Sequence, residues 1–133
     1  HDISVPVERM PDFVDHAVAT IEAAHPGTEA VAFGHLGDGN VHFHVIAPAG
    51  MAQELWESGE AKQISSEVYD MVVAWGGSIS AEHGIGQIKV TELERLADPT
   101  SLAMMRAVKR ALDPAGLLNP GKLLTLAPEP ASA

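Results

Sequence analysis

Cysteine is absent from this 133-residue sequence. Disulfides, thiolate zinc sites and cysteine nucleophiles are therefore excluded. No apolar run approaches the ~20 residues of a membrane span, and no signal peptide is visible. Positive charge is scarce: Lys and Arg number 8 against 18 Asp and Glu, for a net charge of −10 with histidine neutral. Nucleic-acid binding needs clustered Lys and Arg, so that class of partner is not expected. The plain meaning of the acidity is solubility. Lack of cysteine leaves the compartment open, though a reducing cytoplasm fits it best. The first residues, His1-Asp2-Ile3, include no initiator methionine and read as the start of a processed product or a cut fragment.

What is present fits a globular domain. Hydrophobic residues make up 46% and charged residues 20% of the chain, both ordinary values. A chain this long buries a sizeable fraction of its surface without staples. One domain is expected over 1–126. Proline and small residues from Ala127 onward predict a frayed tail over 127–133.

Periodicity gives the elements. Ile3–Val7 alternates as a short strand. Met10, Phe13, Val14, Ala17, Val18 and Ile21 follow helical spacing, with Pro11 acceptable in the first turn and Pro26-Gly27 as the stop. Ala30–Leu36 and Val41–Ala47 read as strands around Gly37-Asp38-Gly39-Asn40. An Asp-Gly pair between strands predicts a two-residue hairpin turn. A long helix is expected from about 52 to 75, ended by Gly76-Gly77, then a short extended piece at Ser78–Ala81. Val90–Leu96 reads as helical. Asp98-Pro99 is a well-formed start for a last helix, which ends at Asp113-Pro114. The order strand, helix, strand, strand, helix, strand, helices predicts an α+β fold. It is a ferredoxin-like antiparallel sheet with helices on one face and a C-terminal helical segment.

Seven histidines is a high count. His1, His16 and His25 read as ordinary surface or core residues. His35, His42 and His44 are different. A two-residue turn sets His35 opposite His42, and His44 shares that face. Leu36, Val41, Phe43 and Val45 then point to the core. Two imidazoles so placed can chelate a divalent ion, and a catalytic site takes a third ligand. Glu82, in the glycine-flanked turn Ser80-Ala81-Glu82-His83-Gly84-Ile85-Gly86, is the best candidate. Two histidines and a carboxylate suit Zn²⁺, Mn²⁺ or Fe²⁺. Gly37-x-Gly39 is not a dinucleotide fingerprint, because a strand follows it. Ser78 and Ser80 do not form a nucleophile elbow. On these residues alone a stand-alone metal-binding module or a metal-dependent hydrolase remains open.

Three segments resemble one family. Gly34-His35-Leu36-Gly37-Asp38-Gly39-Asn40-Val41-His42-Phe43-His44 is similar to the GHxGDGNxHxN segment of FAD-linked oxidases. Gly76-Gly77 through Glu82-His83-Gly84-Ile85-Gly86 is similar to their GGxxxxEHGxG segment. Leu112-Asp113-Pro114-Ala115-Gly116-Leu117-Leu118-Asn119-Pro120-Gly121-Lys122 is similar to their LDPxGxLNPGK segment. The family includes D-2-hydroxyglutarate, D-lactate and glycolate dehydrogenases.

The resemblance implies a flavin-dependent dehydrogenase oxidising a D-2-hydroxy acid to the 2-oxo acid. It implies FAD as cofactor and a divalent metal, Zn or Mn, held by His35, His42 and Glu82. It implies His83 as the base that takes the hydroxyl proton, Asn40 and His44 as substrate-binding residues, and Asn119 near the flavin. A small 2-hydroxy acid substrate, an electron-acceptor protein or quinone, and a homodimer complete the expected partners. One departure stands out: many members carry Asn where this chain has His44, so an imidazole there adds a ligand, a hydrogen bond or a positive charge. Members also carry a FAD-binding domain that these residues do not match. The expectation is a C-terminal portion of a longer flavoenzyme, inactive by itself.

Overall fold

The computed structural model describes residues 1–126, so the tail expected at 127–133 lies outside the described residues. The described residues form two compact units, His1–His83 and 84–126.

The first unit holds β1 (Asp2–Ser4), a 3₁₀ turn (Val7–Arg9), α1 (Met10–Ala24), β2 (Glu29–His35), β3 (Asn40–Ile46), α2 (Gln53–Ser58) and α3 (Glu60–Ala74). The sheet order is β1-β3-β2, with both pairings antiparallel. Ser78 bridges to Ser4 beyond β1, through Ser4 N–H to Ser78 O at 3.0 Å and the reverse bond at 2.8 Å. This is the expected α+β arrangement, with the fourth strand reduced to one bridge. Ile3, Val41 and Phe43 on the sheet are fully buried, as are Phe13, Ile21, Val68 and Val72 on α1 and α3. The core therefore lies on one face of the sheet, and the opposite face is left for the histidines.

Local chemistry explains the departures from periodicity. β1 stops at Ser4 because Pro6 has no N–H to continue a ladder, and Val7 already opens the 3₁₀ turn. The helix expected over 52–75 is two helices. Gly59, at φ −118° and ψ −102°, sits between them. Leu55 on α2 is consequently 70% exposed, so the apolar stripe is not continuous. Gly76-Gly77 ends α3 as expected. Gly76 N–H bonds Val73 O, Gly77 N–H bonds Val72 O, and Gly76 has φ +80°, the pattern of a Schellman cap.

His25 ends α1 and is 5% exposed. Its Nδ1 lies 2.9 Å from Glu60 Oε1 and its Nε2 lies 2.8 Å from Glu67 Oε2. Burial opposes the charged ring, but hydrogen bonds to Glu67 and Glu60 outweigh it and raise its pKa above the ordinary 6.5. The bond from His25 is in turn the main reason that the Glu67 pKa falls below 4.5. The signs are opposite. The His25 contribution is complete below pH 6.5 and is lost as pH rises through the raised value. The Glu67 contribution is complete above pH 4.5 and is lost as pH falls. Thermal melts should therefore show an optimum between those values, flattened in His25→Gln. That variant should lose about 1–2 kcal/mol at the optimum, since the glutamates are partly solvated. Superimposable pH–stability curves for the two proteins would rule the clamp out.

The second unit holds α4 (Val90–Leu96) and α5 (Pro99–Leu112). Asp98 caps α5 as expected, accepting from Thr100 N–H at 2.9 Å and Ser101 N–H at 3.0 Å. Asp113 follows α5 and accepts from the Leu117 and Leu118 N–H groups, both at 2.9 Å, and from Lys109. Lys109 and those backbone donors hold its pKa at about 2 against the cost of burial. The acidic residue of the LDPxGxLNPGK segment thus builds the turn that follows the helix. Among the described residues no helix is long and apolar enough to cross a membrane.

Candidate active site on the open sheet face

The hairpin register differs from the expected one. His35 pairs with Asn40, Phe33 with His42, and Val31 with His44. Four residues, 36–39, join the strands where two were expected. The reason is at Gly39 and Asn40. Gly39, at φ +73°, gives its carbonyl to Val5 N–H at 3.0 Å, and Asn40 N–H bonds Asp38 Oδ1 at 3.1 Å. Gly39 is therefore tied to the chain after β1 instead of turning within the hairpin. Leu36, expected in the core, is in the loop and 65% exposed.

The displacement is by two residues, so side-chain parity survives. His35, Asn40, His42 and His44 still share one face. The His35 and His42 rings, now diagonal, lie 6.4 Å apart and perpendicular. Asp2 pairs with His42 in β1 and shares that face too.

The Glu82-His83 turn meets this face. Glu82 Oε1 lies 3.4 Å from His35 Nδ1 and accepts a short hydrogen bond from Asn40 Nδ2. His83 stacks at a tilt near His42, with ring centroids 6.1 Å apart. Asn40 is 3% exposed, and its Oδ1 is a buried acceptor with no hydrogen-bond partner. Asp38 Oδ2 stands 3.9 Å from His35 Nδ1.

The donor chemistry suits a divalent ion in part. Two ligands of a tetrahedral zinc, each ~2.1 Å from it, stand about 3.4 Å apart, which is the His35–Glu82 separation. His42 is not drawn in with them: among the described residues no group of three His, Asp or Glu side chains is placed to enclose an ion. The pair fits, and the three-ligand set is not assembled in this arrangement.

His44 projects from the same face, its ring parallel to Phe33 (4°) at 5.4 Å. Partial desolvation first, with His42 as a lesser cause, lowers its pKa below 6.5. Of the three roles open to it, the positive charge is the one disfavoured near neutral pH. Asn119 belongs to the second unit. It has φ +47°, and its carbonyl accepts from Lys122 N–H at 3.2 Å.

Two residues of this face escaped sequence reasoning. Phe33 is 58% exposed and its ring lies between those of His42, at 5.2 Å, and His44. Period-two spacing from His35 carried that signal. Asp2 is 4% exposed. It accepts the N–H groups of Ala81 at 3.1 Å, Glu82 at 3.1 Å and His83 at 2.9 Å. Burial pushes its pKa up, but these three donors and the nearby His83 bring it down to about 2. Nothing local in the sequence points to residues 81–83 as its partners.

Comparison with known proteins gives the family. The family model described as FAD linked oxidases, C-terminal domain, matches residues 1–123. The chain is 39% identical over 123 residues to a D-2-hydroxyglutarate dehydrogenase of Stutzerimonas stutzeri, covering 92% of this chain and 26% of that protein. It is 36% identical over 124 residues to the mitochondrial D-2-hydroxyglutarate dehydrogenase of Bos taurus, covering 93% and 21%. It is 40% identical over 98 residues to a D-lactate dehydrogenase of Archaeoglobus fulgidus, covering 74% and 20%. The chain thus spans about a quarter or less of the length of these relatives. The segments that build the open face and the turn after α5 all lie inside the matched range, and the chain belongs to the FAD-linked oxidase family as its C-terminal domain.

Proposed function

We propose that this chain is the substrate side of a FAD-dependent dehydrogenase that oxidises a D-2-hydroxy acid to the 2-oxo acid. One observation carries the reading: His35, Asn40 and His42 meet the Glu82-His83 turn on the sheet face opposite the core that α1 and α3 cover. The dehydrogenase relatives support the reaction class.

His83 is the base. Its Nδ1 is turned towards Asp2, 3.9 Å away, which leaves Nε2 to take the hydroxyl proton. Its side chain is 69% exposed, so a substrate can reach it. Asn40, which donates to Glu82, is a second substrate-binding residue, contacting the acid away from the hydroxyl proton that His83 takes. His44, as a neutral imidazole, donates or accepts a hydrogen bond to the rest of the substrate. His35 and Glu82 would hold a divalent ion, Zn or Mn, with His42 as the third ligand, and Asn119 would lie towards the flavin. Such an ion would supply polarisation of a substrate oxygen, and the flavin would supply the acceptor for the α-hydrogen as hydride, with a protein or quinone as the final electron acceptor.

The test is a chimaera in which this chain replaces the matching region of the Stutzerimonas stutzeri enzyme. Under anaerobic conditions a D-2-hydroxy acid should bleach its bound flavin. A flavin-loaded chimaera that no D-2-hydroxy acid reduces would refute the reading.

A further inference from the structure

The side chains at 82 and 83 are useful only if the turn that carries them is held against the sheet. No regular element holds it: α3 ends at Ala74, and the strand that follows is reduced to the Ser78 bridge. The backbone N–H groups of residues 81–83 all go to one carboxylate, while the Glu82 side chain accepts from Asn40. Asp2 Oδ2 accepts from Ala81, Glu82 and His83 N–H, Oδ1 also lies 3.1 Å from Glu82 N, and Ser80 Oγ is 3.4 Å from Oδ2.

We propose that Asp2 is a positioning residue of the site: its buried carboxylate gathers three consecutive N–H groups and so sets where Glu82 and His83 stand relative to His35 and His42. The inference rests on the functional reading above, since positioning matters only if those side chains act. Three successive donors on one anion fix the path of the backbone, because each N–H direction is set by its own φ and ψ. Asp2 pairs with His42 across β1 and β3, so the same residue ties the turn to a histidine of the face. At 3.9 Å the carboxylate is too far from His83 Nδ1 for a hydrogen bond, so it acts through the backbone.

The experiment uses the 133-residue chain, ¹⁵N-labelled, with Co²⁺ as the metal probe. In Asp2→Asn one acceptor oxygen becomes an NH₂ facing N–H donors. Amide protons of Ala81, Glu82 and His83 should lose exchange protection while those of Phe43 and Val68 keep theirs. The Co²⁺ dissociation constant should rise about 10- to 100-fold, as for other groups that orient metal ligands, and the visible bands of the bound ion should change. Asp2→Glu keeps two acceptor oxygens, one methylene further out. It should show both losses in smaller measure, and it serves as the test if Asp2→Asn does not fold. A folded variant that loses protection at 81–83 yet binds Co²⁺ as the wild type does would overturn the proposal and leave the metal reading standing. If the wild type takes up no Co²⁺, the metal reading fails, and the amides decide for Asp2. Unchanged protection at 81–83 in both variants would then overturn it, and selective loss there would support it.

Discussion

In the chimaera described above, His83→Ala should lower turnover of a D-2-hydroxy acid by about 10²- to 10⁴-fold, the usual yield of a positioned general base. KM should move little, because the imidazole is asked to take a proton in the transition state and not to hold the substrate. The geometry makes the expectation specific. His83 is exposed, its backbone N–H is fixed on Asp2, and its ring stands beside His42. His44→Asn is the informative partner. It introduces the residue that many family members carry, it leaves the His83 backbone untouched, and its effect should fall on KM and on the choice of acid. Equal turnover in the wild type and His83→Ala would place the base elsewhere.

Gly34→Ala should cost the first unit about 3 kcal/mol or more, at the upper end of what forced overpacking does. A Cβ at Gly34 would stand 2.0 Å from Asn40 O and 2.9 Å from Asn40 C. Both are backbone atoms of the neighbouring strand, so no rotamer change relieves the clash. β2 and β3 must part or slip, and a slip by one residue turns His42 and His44 to the other side. For a unit of this size the thermal midpoint should fall by about 10 °C or more. Gly37→Ala is the control. An added Cβ there meets nothing within 4 Å, so the change should stay within about 0.5 kcal/mol. Similar melting for both variants would show that the close approach at Gly34 is not real.

How far the sequence could be read depended on how local each determinant is. The Asp98-Pro99 start of α5 and the Gly76-Gly77 end of α3 were legible because a cap is made within a few residues of itself. The shared face of His35, His42 and His44 was legible because strand parity is local and indifferent to a two-residue change of register. The register itself was not. It is set by Gly39 O accepting from Val5 N–H, a bond from outside the hairpin. The break at Gly59 was missed because the apolar positions on either side of it continue one period, and only packing shows that Leu55 is left out. Phe33 was overlooked on a face read as polar, although its spacing from His35 announced it. Asp2 was not legible at all, since its donors lie about eighty positions along the chain. The His35–Glu82 approach was expected from the glycine-flanked turn and again from the resemblance, while the separation of His42 from that pair is a matter of side-chain placement that no pattern encodes.

The bonds from Asp2 to residues 81–83 also bear on how the unit comes to be folded. They join its first strand to its last turn, so the loop they close is nearly the whole unit. Closing it carries the largest entropic penalty of any contact in that unit, and contacts of such long sequence separation slow the approach to the native state. Local pieces such as α1 and the β2–β3 hairpin can form early. The Glu82-His83 turn cannot be seated until both ends of the unit are in place. A partly folded chain would therefore show helices and a histidine-bearing hairpin and still have no site, and amide protection at residues 81–83 during refolding should trail recovery of helicity.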